Sequence, residues 1–134
     1  MKVPTTPTFS CLAGLLIKSL EGEKIPEKVQ MTGKYFENTL RDLSDLDIVG
    51  EVRGSHFMMG IEFVADKETK LAFEEDKNVA LRLQQHAQKR GLIARPLGNI
   101  LILSPTLILS NKDIDAIGSI LRESIEAVTK ELKN

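Results

Sequence analysis

Arg95 is the side chain whose type and position most directly suggest chemistry. It lies in GLIARPLGNILILSP, residues 91–105, between two apolar segments that both have the composition of buried strands. Arginine is rarely buried without a partner, and its planar guanidinium suits binding of a carboxylate or phosphate through two parallel hydrogen bonds. Two interpretations stay open: an anion-binding arginine at the end of a strand, or an ordinary charge at a hairpin turn. Residue types alone favour the second.

The other reactive side chains form no recognisable site in the sequence. Cys11 lies in the apolar run FSCLAGLLI, so we expect it to be a small core residue. His56 lies in a turn and His86 on the polar part of a helix, where we expect it to be solvated; neither has the converging ligands that a metal site needs. Arg53, in EVRGSH, has the same two interpretations as Arg95; in the second it is an ordinary charge that pairs with Glu51 or with another carboxylate.

Composition excludes several classes of function. The chain has 134 residues, 18 basic and 19 acidic side chains and a net charge of −1, without a basic stripe, so we expect no nucleic-acid partner. Its single cysteine rules out a disulfide within the chain and indicates a reducing, cytoplasmic setting. No segment approaches the roughly 18 consecutive apolar residues of a membrane span, so we expect no membrane partner.

Periodicity predicts an α+β fold with a small, mainly antiparallel four-stranded sheet and helices packed on one face. Residues 1–9 are expected to be irregular, and residues 10–134 to form a single domain with the order α-α-β-β-α-β-β-α. Ser10 is predicted to cap the first helix and Ser110, in a capping box with Asp113, the last. The remaining elements are expected as a helix from Pro26, strands at 48–53 and 57–63, a helix at 77–90, and strands at 92–95 and 99–105.

Two segments of the chain resemble motifs of the class III aminotransferases. These pyridoxal-phosphate enzymes include ω-amino acid, 4-aminobutyrate and ornithine transaminases. IVGEVRGSHFMMGIEFVADKETK, residues 48–70, is similar to the family's VRGxGLMxGIEL strand pair. GLIARPLGNILILSPTLILSNKDIDAIGSILRESI, residues 91–125, is similar to its GLxxRxxGNxxxLxPPLxxxxxxID segment. The two helices predicted before residue 48 match the family more loosely.

The resemblance implies that the chain is the small C-terminal domain beside the active site of such an enzyme. The parent would transfer an amino group between an amine or amino acid and a keto acid, using pyridoxal phosphate. Arg95 occupies the motif position of the arginine that binds the carboxylate of the amino-acid or keto-acid substrate. In several members of the family this arginine swings out to admit neutral or apolar groups.

The family's cofactor-binding machinery is not matched in this sequence. The lysine that forms a Schiff base with the cofactor, and the aspartate that pairs with its pyridinium nitrogen, belong to the family's large domain, upstream of the matched segments. Lys18, Lys34 and Lys89 lie instead in polar or helical surface patterns. We therefore expect this chain alone to bind no cofactor, to be inactive, and to associate with itself or with a large domain. No catalytic residue, cofactor-binding residue or metal ligand is assigned. Alternatives are a free-standing, non-catalytic binding or interaction module, and an inactive fragment that self-associates.

Overall fold

The computed structural model describes residues 7–134, and side chains from residue 10 onward. The helices are α1 (Pro7–Gly22), α2 (Ile25–Arg41), α3 (Val79–Lys89) and α4 (Asn111–Lys133). The strands are β1 (Val49–Ser55), β2 (Met58–Asp66), β3 (Leu71–Ala72), β4 (Arg95–Leu97) and β5 (Ile100–Leu103). Short 3-10 turns cover Asp42–Asp45 and Glu75–Lys77. The predicted order of elements is confirmed, with β3 as an addition.

The sheet is antiparallel, and its main path runs β1-β2-β5-β4. The predicted four-stranded α+β arrangement is therefore confirmed. The added strand β3 pairs with the distal end of β2, where Val64 is opposite Ala72. Sequence reasoning missed β3 because its two residues are exposed and lie in a charged loop that carries no alternation of apolar and polar side chains.

Helices cover one face of the sheet, as predicted. Alternation along β2 buries Met59, Ile61 and Phe63, whereas Gly60 and Glu62 point to the opposite face and are half-buried. Helices α2, α3 and α4 and the sheet share one core, whose largest buried side chains include Phe36, Leu40, Ile61, Phe63, Leu83, Leu101, Leu121 and Ile125. Among the described residues no helix covers the second face, which we call the open face.

The sequence predicted the start of the last helix correctly and the start of the first helix wrongly. Ser110 caps α4 as predicted: its hydroxyl accepts from the Asp113 backbone N–H at 3.2 Å, and the Asp113 carboxylate accepts from the Ser110 N–H at 3.0 Å. The predicted cap at Ser10 is wrong, because α1 already begins at Pro7. Proline is well suited to the first turn of a helix, where its missing N–H is not needed. Irregular structure was expected for residues 1–9, but residues 7–9 are helical as the start of α1; residues 1–6 lie outside the described part of the chain.

The predicted boundaries of β4 are wrong. Leu92 does not begin a strand, because its N–H donates to Ala87 O at 3.0 Å and closes the end of α3. Gly91, with φ +92°, makes this turn possible and stands where the helix was expected to stop. The strand begins only at Arg95 and runs to Leu97, so Arg95 opens β4 instead of ending it.

Helix α1 is the least buried of the four α-helices over the residues whose side chains are described. Its apolar residues Leu12, Leu15, Leu16 and Ile17 are each more than half exposed. The prediction that Cys11 is a core residue is wrong, because this part of α1 is exposed as well. An apolar segment indicates that its surface is buried in the active protein, but it does not identify the surface that covers it. No helix formed by residues 7–134 has the length and apolarity to cross a membrane.

A buried carboxylate joins α2 to the β1–β2 hairpin. Glu37, only 7% exposed, accepts hydrogen bonds at Oε1 from Lys34 Nζ at 3.2 Å and from Arg41 Nη2 at 3.0 Å. Arg41 Nη1 also donates to Val52 O at 3.0 Å, and the backbone N–H of His56 donates to Glu37 Oε2 at 3.4 Å. The carboxylate therefore ties the hairpin turn to the helix.

We expect Glu37→Gln to lower the melting temperature at neutral pH and to weaken its dependence on acid. Hydrogen bonds from Arg41, and then from Lys34, hold the pKa of Glu37 below its ordinary value. A group with a lowered folded-state pKa stabilises the fold above its unfolded pKa, and this contribution is lost as the pH falls through the folded pKa. Thermal unfolding followed by circular dichroism from about pH 7 to about pH 3 measures both effects.

The matched control for Glu37 is Glu126→Gln. Glu126 is also a helical glutamate but is exposed, so its replacement should leave the pH profile unchanged. If the Glu37→Gln and wild-type chains lost stability in parallel across the acid range, the ionised carboxylate would not be what holds the hairpin.

Candidate functional site

Arg95 lies at the margin of the open face, on the edge strand β4. Its Cα partner is Ile102 of β5, and its side chain is exposed. Pro96 follows directly and has no N–H to donate, which suits a strand that pairs on one side only. The hairpin turn consists of Gly98 and Asn99, where Gly98 adopts φ +58°. Arg95 therefore lies in strand β4 of the short hairpin and not in the hairpin turn, where one interpretation placed it.

The register of the sheet places two arginines in one row across the open face. Arg53 of β1 is opposite Gly60 of β2, Gly60 is opposite Ile102, and Ile102 is opposite Arg95. The two arginines are three strand spacings apart, which corresponds to about 14 Å between their backbones. The positions between them carry a glycine and an aliphatic side chain, so no charge lies within the row.

Arg53 is engaged by acidic neighbours. Its Nη1 lies 3.5 Å from Glu51 Oε2, and its Nη2 lies 3.2 Å from Glu62 Oε2. Of the two interpretations of Arg53, these contacts agree with an ordinary charge paired with Glu51, and Glu62 is a second partner that the sequence did not single out. Glu51 and Glu62 are opposite each other in the neighbouring row. The two carboxylates compensate the positive charge of Arg53.

Arg95 stands in different surroundings. Within the described part of the chain, its guanidinium makes no hydrogen bond or ion pair. It borders an open depression of about 430 Å³ whose other lining residues are Ile93, Ala94, Pro96, Ile102 and Ser104. The depression therefore combines one available guanidinium with aliphatic walls and one hydroxyl. A carboxylate fits this arrangement, because a guanidinium makes strong paired hydrogen bonds with it.

The two histidines do not join this site. His86 lies at the surface as expected but is only partly exposed, and its Nε2 lies 2.7 Å from Glu131 Oε1. His56 occupies the β1–β2 turn with φ +50°, and its Nδ1 lies 2.7 Å from Ser55 Oγ. Residues 7–134 contain no group of His, Cys, Asp and Glu side chains arranged to hold a metal ion.

The lysines do not supply a shielded amine. Every lysine between residues 10 and 134 is exposed, including Lys18, Lys34 and Lys89. Two of them donate to backbone carbonyls: Lys67 Nζ bonds Ser44 O at 2.7 Å, and Lys70 Nζ bonds Gly50 O at 2.9 Å. The surface position expected for the lysines is confirmed for this part of the chain.

Sequence reasoning identified Arg95 but not the residues that surround it. Ile102 lies seven positions further along the chain, and only the pairing of β4 with β5 shows that it is opposite Arg95. A signal was available, since Gly98 and Asn99 form a two-residue turn that fixes the register of a hairpin. Counting outward from that turn pairs residue 95 with residue 102.

Comparison with known proteins places these features in a family. A family model described as aminotransferase class III matches residues 6–125. Adenosylmethionine-8-amino-7-oxononanoate aminotransferase of Methanocaldococcus jannaschii is 38% identical over 117 residues, covering 87% of this chain and 25% of that protein. Putrescine–pyruvate aminotransferase of Pseudomonas aeruginosa is 33% identical over 121 residues, covering 90% of this chain and 26% of that protein.

A solved structure agrees with this assignment. The crystal structure of the omega-transferase from Vibrio fluvialis aligns with a TM-score of 0.84 at 30% identity, covering 88% of this chain and 28% of that chain. The chain thus spans about a quarter of the length of these relatives. The match of the family model over most of the chain, with agreement in both sequence and fold, shows that the chain belongs to the class III aminotransferases.

Proposed function

We propose that residues 10–134 form the small C-terminal domain of a class III aminotransferase and that Arg95 binds the substrate carboxylate. The complete enzyme transfers an amino group between an amine or amino acid and a keto acid. The observation that carries the proposal is the guanidinium of Arg95, which borders an apolar depression and has no partner within the described residues. A cytoplasmic setting agrees with the single cysteine.

The hairpin gives Arg95 a fixed base and a mobile end. Its backbone is held by pairing with β5, which in turn pairs with the long strand β2. Asn99 Nδ2 donates to Phe73 O at 2.8 Å and anchors the turn of the hairpin. The exposed side chain is free to move between carboxylate-bound and withdrawn positions. Bidentate bonds then orient the substrate, and the aliphatic walls exclude water from one side of it.

The described residues do not by themselves fit pyridoxal phosphate, the cofactor that the family implies. Its chemistry uses a lysine amine that becomes nucleophilic when desolvation or a neighbouring cation lowers its pKa. Each lysine between residues 10 and 134 is exposed, so none is enclosed in a desolvated site. Our proposal therefore assigns substrate binding to this domain and cofactor binding to other parts of the active assembly.

Helix α1 is our candidate for the surface that such an assembly covers. Its four exposed apolar side chains are adjacent along the helix, and an exposed patch of this kind is typical of an interface. The relatives compared above are all aminotransferases, and no structural observation favours the non-catalytic alternative. In the 134-residue chain studied alone, a second copy is the available partner for this surface.

In the active, cofactor-loaded assembly, we expect Arg95→Ala to lower kcat/KM for carboxylate substrates roughly ten- to a hundredfold. The reason is that hydrogen bonds between charged groups contribute about 1.5–3 kcal/mol. Arg95→Lys should recover only part of the loss, because it restores the charge without the two-pronged geometry. An amine that lacks a carboxylate should be affected much less in its own half-reaction.

Arg53→Ala is the matched control for Arg95, because Arg53 lies in the same row but is already paired with Glu51 and Glu62. Arg53→Ala should leave unchanged the ratio of kcat/KM for the carboxylate substrate to kcat/KM for the amine that lacks a carboxylate. Equal losses on both substrates in the Arg95→Ala enzyme, with the cofactor still bound, would make Arg95 a structural residue.

For the 134-residue chain alone, we expect no lysine to be labelled stoichiometrically when pyridoxal phosphate is added and reduced with borohydride. Exposed lysines react without selectivity, because no lysine between residues 10 and 134 lies in an enclosed site that would single out its amine. Peptide mapping by mass spectrometry measures the label at each lysine. One label per chain at a single lysine would contradict the proposal that other parts of the active assembly bind the cofactor.

We also expect the isolated chain to self-associate through α1. Leu16→Glu should shift the distribution towards monomer, because it places a charge within the exposed apolar surface. Ile108→Glu, at an apolar residue that is 73% exposed outside α1, is the matched control and should have no such effect. Light scattering across a concentration series measures the mass. A wild-type monomer at the highest concentration would refute the prediction.

A further inference from the structure

We infer that Asn99 is a positioning residue for Arg95. Its side chain ties the β4–β5 hairpin to the segment that leads from β3 into α3, and this contact sets how well Arg95 binds a carboxylate. The inference rests on the proposed function, because it requires Arg95 to bind the substrate carboxylate. Its evidence is the hydrogen bond from Asn99 Nδ2 to Phe73 O, 2.8 Å long and half-buried at the tip of the hairpin.

The backbone position of Arg95 depends on the turn of its hairpin. Strand β4 pairs with β5 over the three residues Arg95–Leu97. A hairpin this short has little stability of its own. Its register is set by the two-residue turn at Gly98 and Asn99. A displacement of that turn therefore moves β4, and Arg95 moves with it.

Asn99 holds the turn from two sides. Its backbone carbonyl accepts a hydrogen bond from the N–H of Phe63 at 2.8 Å, which attaches the turn to β2. Its side chain donates to the carbonyl of Phe73, whose own side chain is partly buried and packs against the hydrophobic core. Asn99 therefore joins the hairpin both to the long central strand and to the segment that precedes α3.

The contact with Phe73 requires a donor at position 99. A carboxamide supplies an N–H, whereas an aspartate of nearly the same shape presents only oxygen atoms when ionised and repels the carbonyl. An alanine leaves the Phe73 carbonyl without this partner, which costs about as much free energy as a lost hydrogen bond. Residue 99 can thus be varied while Arg95 and the residues around it keep their identity.

A firmly held hairpin makes Arg95 a better carboxylate ligand. Two parallel hydrogen bonds form well only when the guanidinium and the carboxylate are aligned. Any freedom that β4 has before binding must be lost on binding, and this loss weakens the complex. A substrate without a carboxylate makes no such bonds, so the contact at Asn99 should affect only substrates that carry one.

The test uses the active, cofactor-loaded assembly that contains this chain, and measures kcat/KM for an amino donor with a carboxylate and for an amine without one. We expect Asn99→Ala to lower the value for the carboxylate donor roughly three- to tenfold, the scale of one hydrogen bond, and to change the value for the amine less than about twofold. Asn99→Asp should lower the first value at least as much. Asn99→Gln keeps the donor group and should retain more of it.

A double-mutant cycle determines whether Asn99 acts through Arg95. In the Arg95→Ala background, Asn99→Ala should cause no further loss for the carboxylate donor, because the group that it positions has been removed. A purely structural role would instead multiply the two losses.

Asn78→Gly is the matched control for Asn99. The side-chain amide of Asn78 donates to Asp76 O at 3.0 Å, within its own turn and away from the hairpin. Glycine suits the backbone of residue 78, which has φ +48°. This variant should keep the wild-type ratio of kcat/KM between the two substrates.

The outcomes distinguish this inference from the proposed function. If Arg95→Ala lowers kcat/KM equally for both substrates, the proposed function fails and the inference fails with it. If Arg95→Ala is selective for the carboxylate donor, the inference alone is overturned by an unselective Asn99→Ala, by multiplied losses in the double variant, or by an equal effect of Asn78→Gly. If Asn99→Ala does not fold, Asn99→Asp and Asn99→Gln decide, and equal substrate ratios in these two variants overturn the inference.

Discussion

The register of the β1-β2-β5-β4 sheet is the constraint on which the candidate site depends. Side chains alternate between faces along a strand, so a slip of one residue would turn every side chain of β5 to the other face. Leu101 and Leu103 would then leave the core, and Ile102 would enter it. The burial of the two leucines therefore fixes Ile102 on the open face, and pairing with Ile102 fixes Arg95 beside it.

A second set of contacts holds the sheet against the helices at the opposite edge. The N–H of His56 bonds the buried carboxylate of Glu37, although His56 adopts a backbone conformation that is unfavourable for a residue with a side chain. Gly33 allows this approach, because a Cβ at that position would come within 2.7 Å of His56 Cβ. The hairpin that carries Arg53 is therefore positioned by helix α2 through a close contact and a buried charge.

Sequence reasoning predicted the features that depend on neighbouring residues and failed for the features that depend on contacts with a distant part of the chain. The alternation in β2 and the capping box at Ser110 depend on near neighbours, and both were predicted. Leu92 resembles the start of a strand in composition, but a hydrogen bond to the preceding helix excludes it from the sheet. Cys11 lies in an apolar run, and such a run does not reveal which surface will cover it. The pairing of Arg53 with Glu62 likewise required the register.

The same register gives the two arginines different surroundings. In the row next to theirs, the positions on β1 and β2 are Glu51 and Glu62, whereas those on β5 and β4 are Ile100 and Leu97. The open face is therefore divided into an ion-paired half and an apolar half. In water a solvated guanidinium interacts weakly with an anion, and the interaction strengthens as water is excluded. In the apolar half, a ligand that covers Arg95 would exclude water from its guanidinium and so strengthen the interaction. The charge of Arg53 is already compensated by Glu51 and Glu62. Recognition of an anion on this face thus depends less on having an arginine than on having one whose neighbours are aliphatic.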